Sequence, residues 1–259
     1  MLIRVKGSVK NDSSKVHKGT ITCACVVGDV VLSAGYDNAV RAHSTASGDL
    51  AGEGTSANGQ PKQLVASASG VVVMMTSQGI ALVSPAGVVS GFLATTGKTP
   101  LCVAINPEGT EVAMGCSETQ DITVYAIAGG AFTETMPAMT MRGKVTALAY
   151  SPDGATLAAG DDQCQVMIWK TEDRSRLLAK WSWGRHGSKI ACLSWSPDGT
   201  RVASGSGDNH IFLWKPSEAR GYLQIPRAHP EGVVDVGFTA DDVLASVGRD
   251  GALRKWKIA

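Results

Sequence analysis

Aromatic residues are scarce, at 5% of the 259 residues, and no long apolar run interrupts the chain. The strongest such run, VVVMM at 71–75, is far too short to cross a bilayer as a helix. The first residues, MLIRVKGSVKNDSSKVHKG, lack the apolar stretch of a secretion signal. The Asn11-Asp12-Ser13 sequon is therefore read as accidental, and a cytoplasmic location is expected. Nor is there an excess of charge: 24 Lys+Arg stand against 23 Asp+Glu, so wholesale attraction to nucleic acid or an anionic membrane is not indicated. The six cysteines, Cys23, Cys25, Cys102, Cys116, Cys164 and Cys192, form no Cys-x-x-Cys pair, which argues against zinc and redox motifs. No metal or cofactor is expected. What the chain does have is 30 glycines and 44% hydrophobic residues. Glycine is costly inside helices and useful in tight turns, so this balance favours an all-β protein.

The decisive feature is repetition. SWSPDGTRVASGSGDNHIFLWK at 194–215 has relatives in AYSPDGATLAAGDDQCQVMIWK at 149–170 and AINPEGTEVAMGCSETQDITVY at 104–125. CVVGDVVLSAGYDNAVRAH at 25–43 and GFTADDVLASVGRDGALRKWK at 237–257 follow the same plan, and ASGVVVMMTSQGIALV at 68–83 follows it loosely. The last patterned positions are His43, Val83, Tyr125, Trp169, Trp214 and Trp256, separated by 40, 42, 44, 45 and 42 residues. A period of roughly 40–45 residues, with short alternating strands split by Pro-Asp-Gly turns, is that of a β-propeller blade. Six blades are recognisable, at about 17–45, 58–85, 99–127, 143–170, 186–215 and 229–257. A fourth, outer strand is expected in segments such as RLLAKWSW at 176–183. Seven blades would need roughly 300 residues, so the seventh is expected to be missing, partial or degenerate. Residues 1–259 are taken as one domain, with 1–16 as the remnant of a preceding blade or an N-terminal arm.

Within the repeats, His186, Ser204 and Asp208 invite a catalytic reading. Ser-to-Asp spacing is four, and Asp-to-terminal spacing is six, for Ser33/Asp37/His43, Ser204/Asp208/Trp214 and Ser246/Asp250/Trp256. A nucleophilic constellation occurs once per active site, whereas this one recurs with the period of the fold. The expected reading is structural, and the chain is not expected to be an enzyme. An Asp can accept from His and from a turn amide, His can donate to Ser, and Ser can donate toward the strand bearing the indole.

These motifs resemble the WD-repeat family over nearly the whole chain from about Lys18. The resemblance implies hydrogen-bonded tetrads built from His17, Ser33 and Asp37 (with His43 in place of tryptophan), from His186, Ser204, Asp208 and Trp214, and from His229, Ser246, Asp250 and Trp256. In the remaining blades Gly97 and Arg142 lie where the leading histidine is expected, and the turn aspartate of the fourth is Asp161 or Asp162, slightly out of register. More finely, RHGSKIACLSWSPDGTRVASGSGDNHIFLWK, the following IPRAH and the final GALRKWKIA are similar to the C-terminal propeller of the actin-interacting protein 1 family. That similarity implies a chain with two propellers that binds actin filaments and works with cofilin to disassemble them, as a monomer or part of such a chain at the cytoskeleton. The other class is a general scaffold subunit of a ubiquitin ligase, chromatin or ribosome-assembly complex.

Other residues fall into place around the blades. Cys23, Cys102, Ala147 and Cys192 share one position of the innermost strand and are read as close packing. Met74, Met75, Met136, Met139 and Met141 are read as gap fillers or loop residues. Trp181 and Trp183 would face one side of a strand. The candidate partner contacts are Tyr36, Arg185, Pro230 and Arg249, which sit at turn tips with no blade-building role.

Overall fold

The computed structural model describes residues 17–52, 55–177, 184–218 and 221–258. The proposed N-terminal remnant, the sequon, Trp181 and Trp183 lie outside the described residues, as does most of RLLAKWSW. Among the described residues there is no helix, and 22 strands form six separate sheets.

The first sheet comprises β1 (Ile21–Val27), β2 (Val30–Gly35), β3 (Val40–Ser44) and β4 (Leu50–Gly52). The second comprises β5 (Pro61–Ala66), β6 (Val72–Thr76), β7 (Gly79–Val83) and β8 (Val89–Ala94). In the third are β9 (Pro100–Ile105), β10 (Glu111–Cys116), β11 (Asp121–Ala128) and β12 (Ala131–Thr140). The fourth holds β13 (Val145–Tyr150), β14 (Thr156–Asp161) and β15 (Val166–Lys170). The fifth holds β16 (Ile190–Trp195), β17 (Val202–Ser206), β18 (Ile211–Trp214) and β19 (Tyr222–Ile225). The sixth holds β20 (Val233–Ala240), β21 (Val243–Gly248) and β22 (Leu253–Lys257). Each sheet is an antiparallel meander in chain order, the blade of a six-bladed β-propeller fold. Outer strands such as β4, β8, β12 and β19 fall in the stretches between successive repeats. In the fourth blade Arg176 makes an isolated bridge to Trp169 where that strand would start.

Packing divides the chain into two compact units, one holding the first two blades and the other the remaining four. In the first unit, Leu32, Val40, Leu64, Met74, Ala81 and Val83 form a common core. The second has cores around Ile122, Val145 and Trp169, around Ile190, Phe212 and Trp214, and around Val233, Leu244 and Ile258. Burial of each such aliphatic or aromatic side chain contributes about 1.5–3 kcal/mol. Met74, Met75, Met139 and Met141 are among these buried residues.

Strand pairing gives the blades a common register. Val31↔His43, Val72↔Val83, Val112↔Tyr125, Leu157↔Trp169, Val202↔Trp214 and Leu244↔Trp256 are equivalent pairs. On the inner side, Cys23↔Ala34, Cys102↔Gly115, Ala147↔Gly160 and Cys192↔Gly205 are likewise equivalent, which places those three cysteines and the alanine at one position. All six cysteines are free thiols. Burial pushes the Cys102 thiol up to about 12, so it stays protonated and acts as a small apolar group.

The three glycines of this register have a packing reason. A Cβ on Gly115 would lie 2.6 Å from Val145, one on Gly160 would lie 2.5 Å from Ile190, and one on Gly205 would lie 2.5 Å from Val233. Each second strand thus offers a hollow that the first branched residue of the next blade fills. Hydrogen bonds reinforce the same seam: Thr146 Oγ1 donates to the Ile190 carbonyl at 2.6 Å, and Trp195 Nε1 to that of Ala149 at 3.0 Å.

Candidate functional site

In the fifth blade a short loop delivers His186 between two strands. Its Nδ1 lies 2.8 Å from Asp208 Oδ2, and its Nε2 lies 2.9 Å from Ser204 Oγ. Trp214 Nε1 donates to the same Ser204 oxygen at 2.8 Å. The Gly187 and His210 amides donate to the Asp208 carboxylate at 2.7 and 3.0 Å. Burial alone would raise the Asp208 pKa, but His186 and the two amides outweigh it and hold it at about 2. An ionised Asp208 can only accept, so Nδ1 carries the imidazole proton. In the neutral ring Nε2 then accepts from the Ser204 hydroxyl, which itself accepts from the indole. The donor order is Trp214 to Ser204 to His186 to Asp208, the reverse of the sequence-based expectation at the Ser–His and Ser–Trp links. The indole N–H has no acceptor capacity, which forces this direction.

The sixth blade repeats the network. His229 contacts Asp250 at 2.9 Å and Ser246 at 2.8 Å, and Trp256 Nε1 donates to Ser246 at 2.9 Å. Arg254 donates to Asp250 at 2.6 Å, and this bond, with His229 and the Ala252 amide, holds Asp250 at about 2 against burial. In the first blade His17 contacts Asp37 at 2.8 Å and Ser33 at 2.9 Å, and Arg41 donates to Asp37 at 2.8 Å. Although burial opposes it, the bonds from His17, the Lys18 amide and Arg41 hold Asp37 well below the usual carboxylate range. His43 occupies the tryptophan position, and no hydrogen bond joins it to Ser33 among the described residues. Arg41 and Arg254 were missed in the sequence, although their Asp-x-x-x-Arg spacing was visible. They pair directly across the strands from Ser33 and Ser246, where the fifth blade has Phe212.

The register corrects the other three blades. Counting back from the paired strands, the leading-histidine position holds Ala57, Thr96 and Met141, not Gly97 or Arg142. The serine position holds Met74, Met114 and Ala159, all buried. In the fourth blade the register position of Asp208 holds Gln163, and the turn aspartate is Asp161, out of register as expected. Asp161 serves the turn from two residues earlier. Its carboxylate accepts from the amides of Gly143, Gln163 and Gln165 at 3.1, 3.0 and 2.8 Å. Burial nevertheless raises its pKa, because those amides offset only part of the desolvation.

Of the candidate contact residues, Tyr36 is 62% exposed in the first unit, at the position equivalent to Arg249 in the second. Both positions donate a backbone bond to the loop leading into their own blade, Tyr36 to Thr20 and Arg249 to Gly232. Pro230 and Arg249 are exposed on the same blade, on either side of His229 and Asp250. Arg185 is exposed, with its guanidinium 5.2 Å from the centre of the Tyr222 ring. That ring continues inward through Phe212 and Trp214, at 5.6 and 5.7 Å, an aromatic stack that sequence reading missed.

This geometry builds scaffolding. Ser204 and Ser246 are buried, and each hydroxyl already receives an indole N–H, so no oxygen is presented to a substrate. Among the described residues no group of three or more His, Cys, Asp or Glu side chains is arranged to hold a metal ion.

WD40 repeats are found in the chain: the WD domain, G-beta repeat family matches residues 136–170 and 179–215. Its relatives include actin-interacting protein 1-2 of Arabidopsis thaliana, 29% identical over 93% of this chain and 40% of that one. Actin-interacting protein 1 of Drosophila melanogaster is 25% identical over 97% of this chain and 41% of its own length. The 66 kDa stress protein of Physarum polycephalum is 28% identical over 93% and 40%. The chain therefore spans about two-fifths of the length of these relatives. Among solved structures, Chaetomium thermophilum Sqt1 bound to the N-terminus of ribosomal protein L10 superposes with a TM-score of 0.76. At 20% identity, over 93% of this chain and 73% of that one, it shares the fold.

Proposed function

We propose that this chain is a non-catalytic protein-binding platform of the actin-interacting protein 1 type. It engages actin filaments and contributes to their cofilin-dependent disassembly in the cytoplasm. The observation that supports this reading is the continuous similarity to the Arabidopsis and Drosophila actin-interacting proteins across nearly the whole chain. A propeller fold alone would not choose among partners. Tyr36, Arg185, Pro230 and Arg249 are the proposed contacts, and the three His–Asp–Ser networks hold the turns that carry or flank them.

The test is co-sedimentation of the full-length protein containing this segment with actin filaments, with and without cofilin. Co-pelleting, with more actin released when cofilin is present, is the expected result. Tyr36→Ala and Arg249→Ala should weaken pelleting by about tenfold if they are anchors. No pelleting under either condition would replace this reading with that of a general WD40 scaffold.

A further inference from the structure

The outer edges of the six blades differ in how they are protected from pairing with another chain. An unprotected edge offers a row of N–H and C=O groups, and folded proteins blunt it with shortness, charge, proline or a bulge. β4 has three residues. β8 is kinked, with Gly91 at φ 58° beside a register shift. β12 contains Pro137, β15 is bridged by Arg176, and β22 carries Arg254, Lys255 and Lys257. β19 reads Tyr-Leu-Gln-Ile: it is short, at four residues, but carries no charge, proline or bulge within it. No described strand pairs on its far side, and Tyr222 and Leu223 are 43% and 46% exposed.

A groove runs beside this edge, lined by Leu213, Leu223 and Ile258 with Arg201, Lys215 and Glu218. Its charge is unbalanced. Lys215 and Glu218 pair with each other at 3.2 Å, while Arg201 forms no salt bridge among the described residues. An occupant that completes both the edge and the groove is an extended strand. Side chains alternate along it, so residues two apart face the groove together.

We propose that β19 is a strand-addition site for an extended segment of a protein partner. The segment presents an apolar residue to Leu213, Leu223 and Ile258 and, two residues away, an acidic residue to Arg201. Main-chain bonds to β19 supply the affinity, and the groove supplies the choice of sequence. This inference is independent of the actin reading.

The probe is a short fluorescent peptide in which threonine alternates with valine and glutamate in turn, titrated against the full chain. The expected result is saturable binding with slowed amide exchange in residues 222–225. Replacing glutamate by lysine in the peptide should weaken binding by about tenfold. Leu223→Glu and Arg201→Glu should each do the same while the thermal midpoint of the protein stays near that of the wild type. Because Leu223 is half exposed, loss of the fold does not confound that variant. Absence of binding up to about 1 mM overturns the proposal. So does binding that ignores both substitutions. A concentration-dependent dimer that protects the same amides would assign the edge to a second copy and overturn it equally.

Discussion

The fifth blade and the second solve one structural problem in opposite ways. At equivalent positions the fifth has His186, Ser204 and Trp214, joined by three hydrogen bonds with Asp208, while the second has Ala57, Met74 and Val83, all buried and apolar. The two solutions are exchangeable as sets and poor as mixtures. A buried polar group that loses its partner costs about 1–3 kcal/mol, whereas replacing all partners with apolar groups is close to neutral. Evolution of one blade type into the other therefore has to change several residues together. The fourth blade has Met141, Ala159 and Trp169 but supports its turn with a displaced carboxylate, Asp161.

The sharpest way to break the comparison is to mix the two sets. Met74→Ser puts a hydroxyl among Ala57, Ala81 and Val83, and the expected loss is about 3 kcal/mol or more, read by urea denaturation. A loss below about 1 kcal/mol would mean that the apolar blades tolerate the polar position. Asp208→Ala should cost about 2 kcal/mol, because the His186 N–H loses its acceptor inside the blade. Ser204→Ala and Trp214→Phe should be coupled by about 1 kcal/mol in a double-mutant cycle, the pair costing less than the sum. Strict additivity would show that the indole bond is not felt.

Acid gives a milder perturbation with a definite sign. Asp208 has a depressed pKa in the folded state, at about 2. Its contribution is present above the unfolded value near pH 4 and is lost as pH falls toward about 2. Amide exchange should therefore report earlier acid opening around 208–210 than around the apolar second blade. Simultaneous opening would contradict that. The smallest expected effect is from Arg254→Leu, below about 1 kcal/mol and shrinking with added salt, since this side chain is partly exposed.

Legibility in the sequence followed the same divide. Where the polar network is present, its spacing is rigid, and the register and members of the first, fifth and sixth blades were readable from His, Ser and Asp. Where it is replaced, Ala57, Met74 and Met114 look like any buried residue, and loop-length changes hide their equivalence. Gly97 and Arg142 were chosen by spacing, but strand pairing, set by side chains on both faces, moved the position to Thr96 and Met141. The out-of-register aspartate of the fourth blade was readable as Asp161 or Asp162, and the amides of Gln163 and Gln165 single out Asp161. Arg41, Arg254 and the Phe212–Trp214–Tyr222 stack depend on cross-strand neighbours, which no linear spacing displays.

The hollows at Gly115, Gly160 and Gly205 give the four-blade unit a direction. Each is shaped for the branched residue that follows it in the chain, Val145, Ile190 and Val233 respectively. At the equivalent place the sixth blade carries Val247, a filled position. The sixth blade is therefore not interchangeable with the third, fourth or fifth: placed ahead of another blade of this unit, its Val247 would set a side chain against a side chain where a side chain now meets a void. The order of the series is thus constrained at its last blade and free among the blades that carry the glycine.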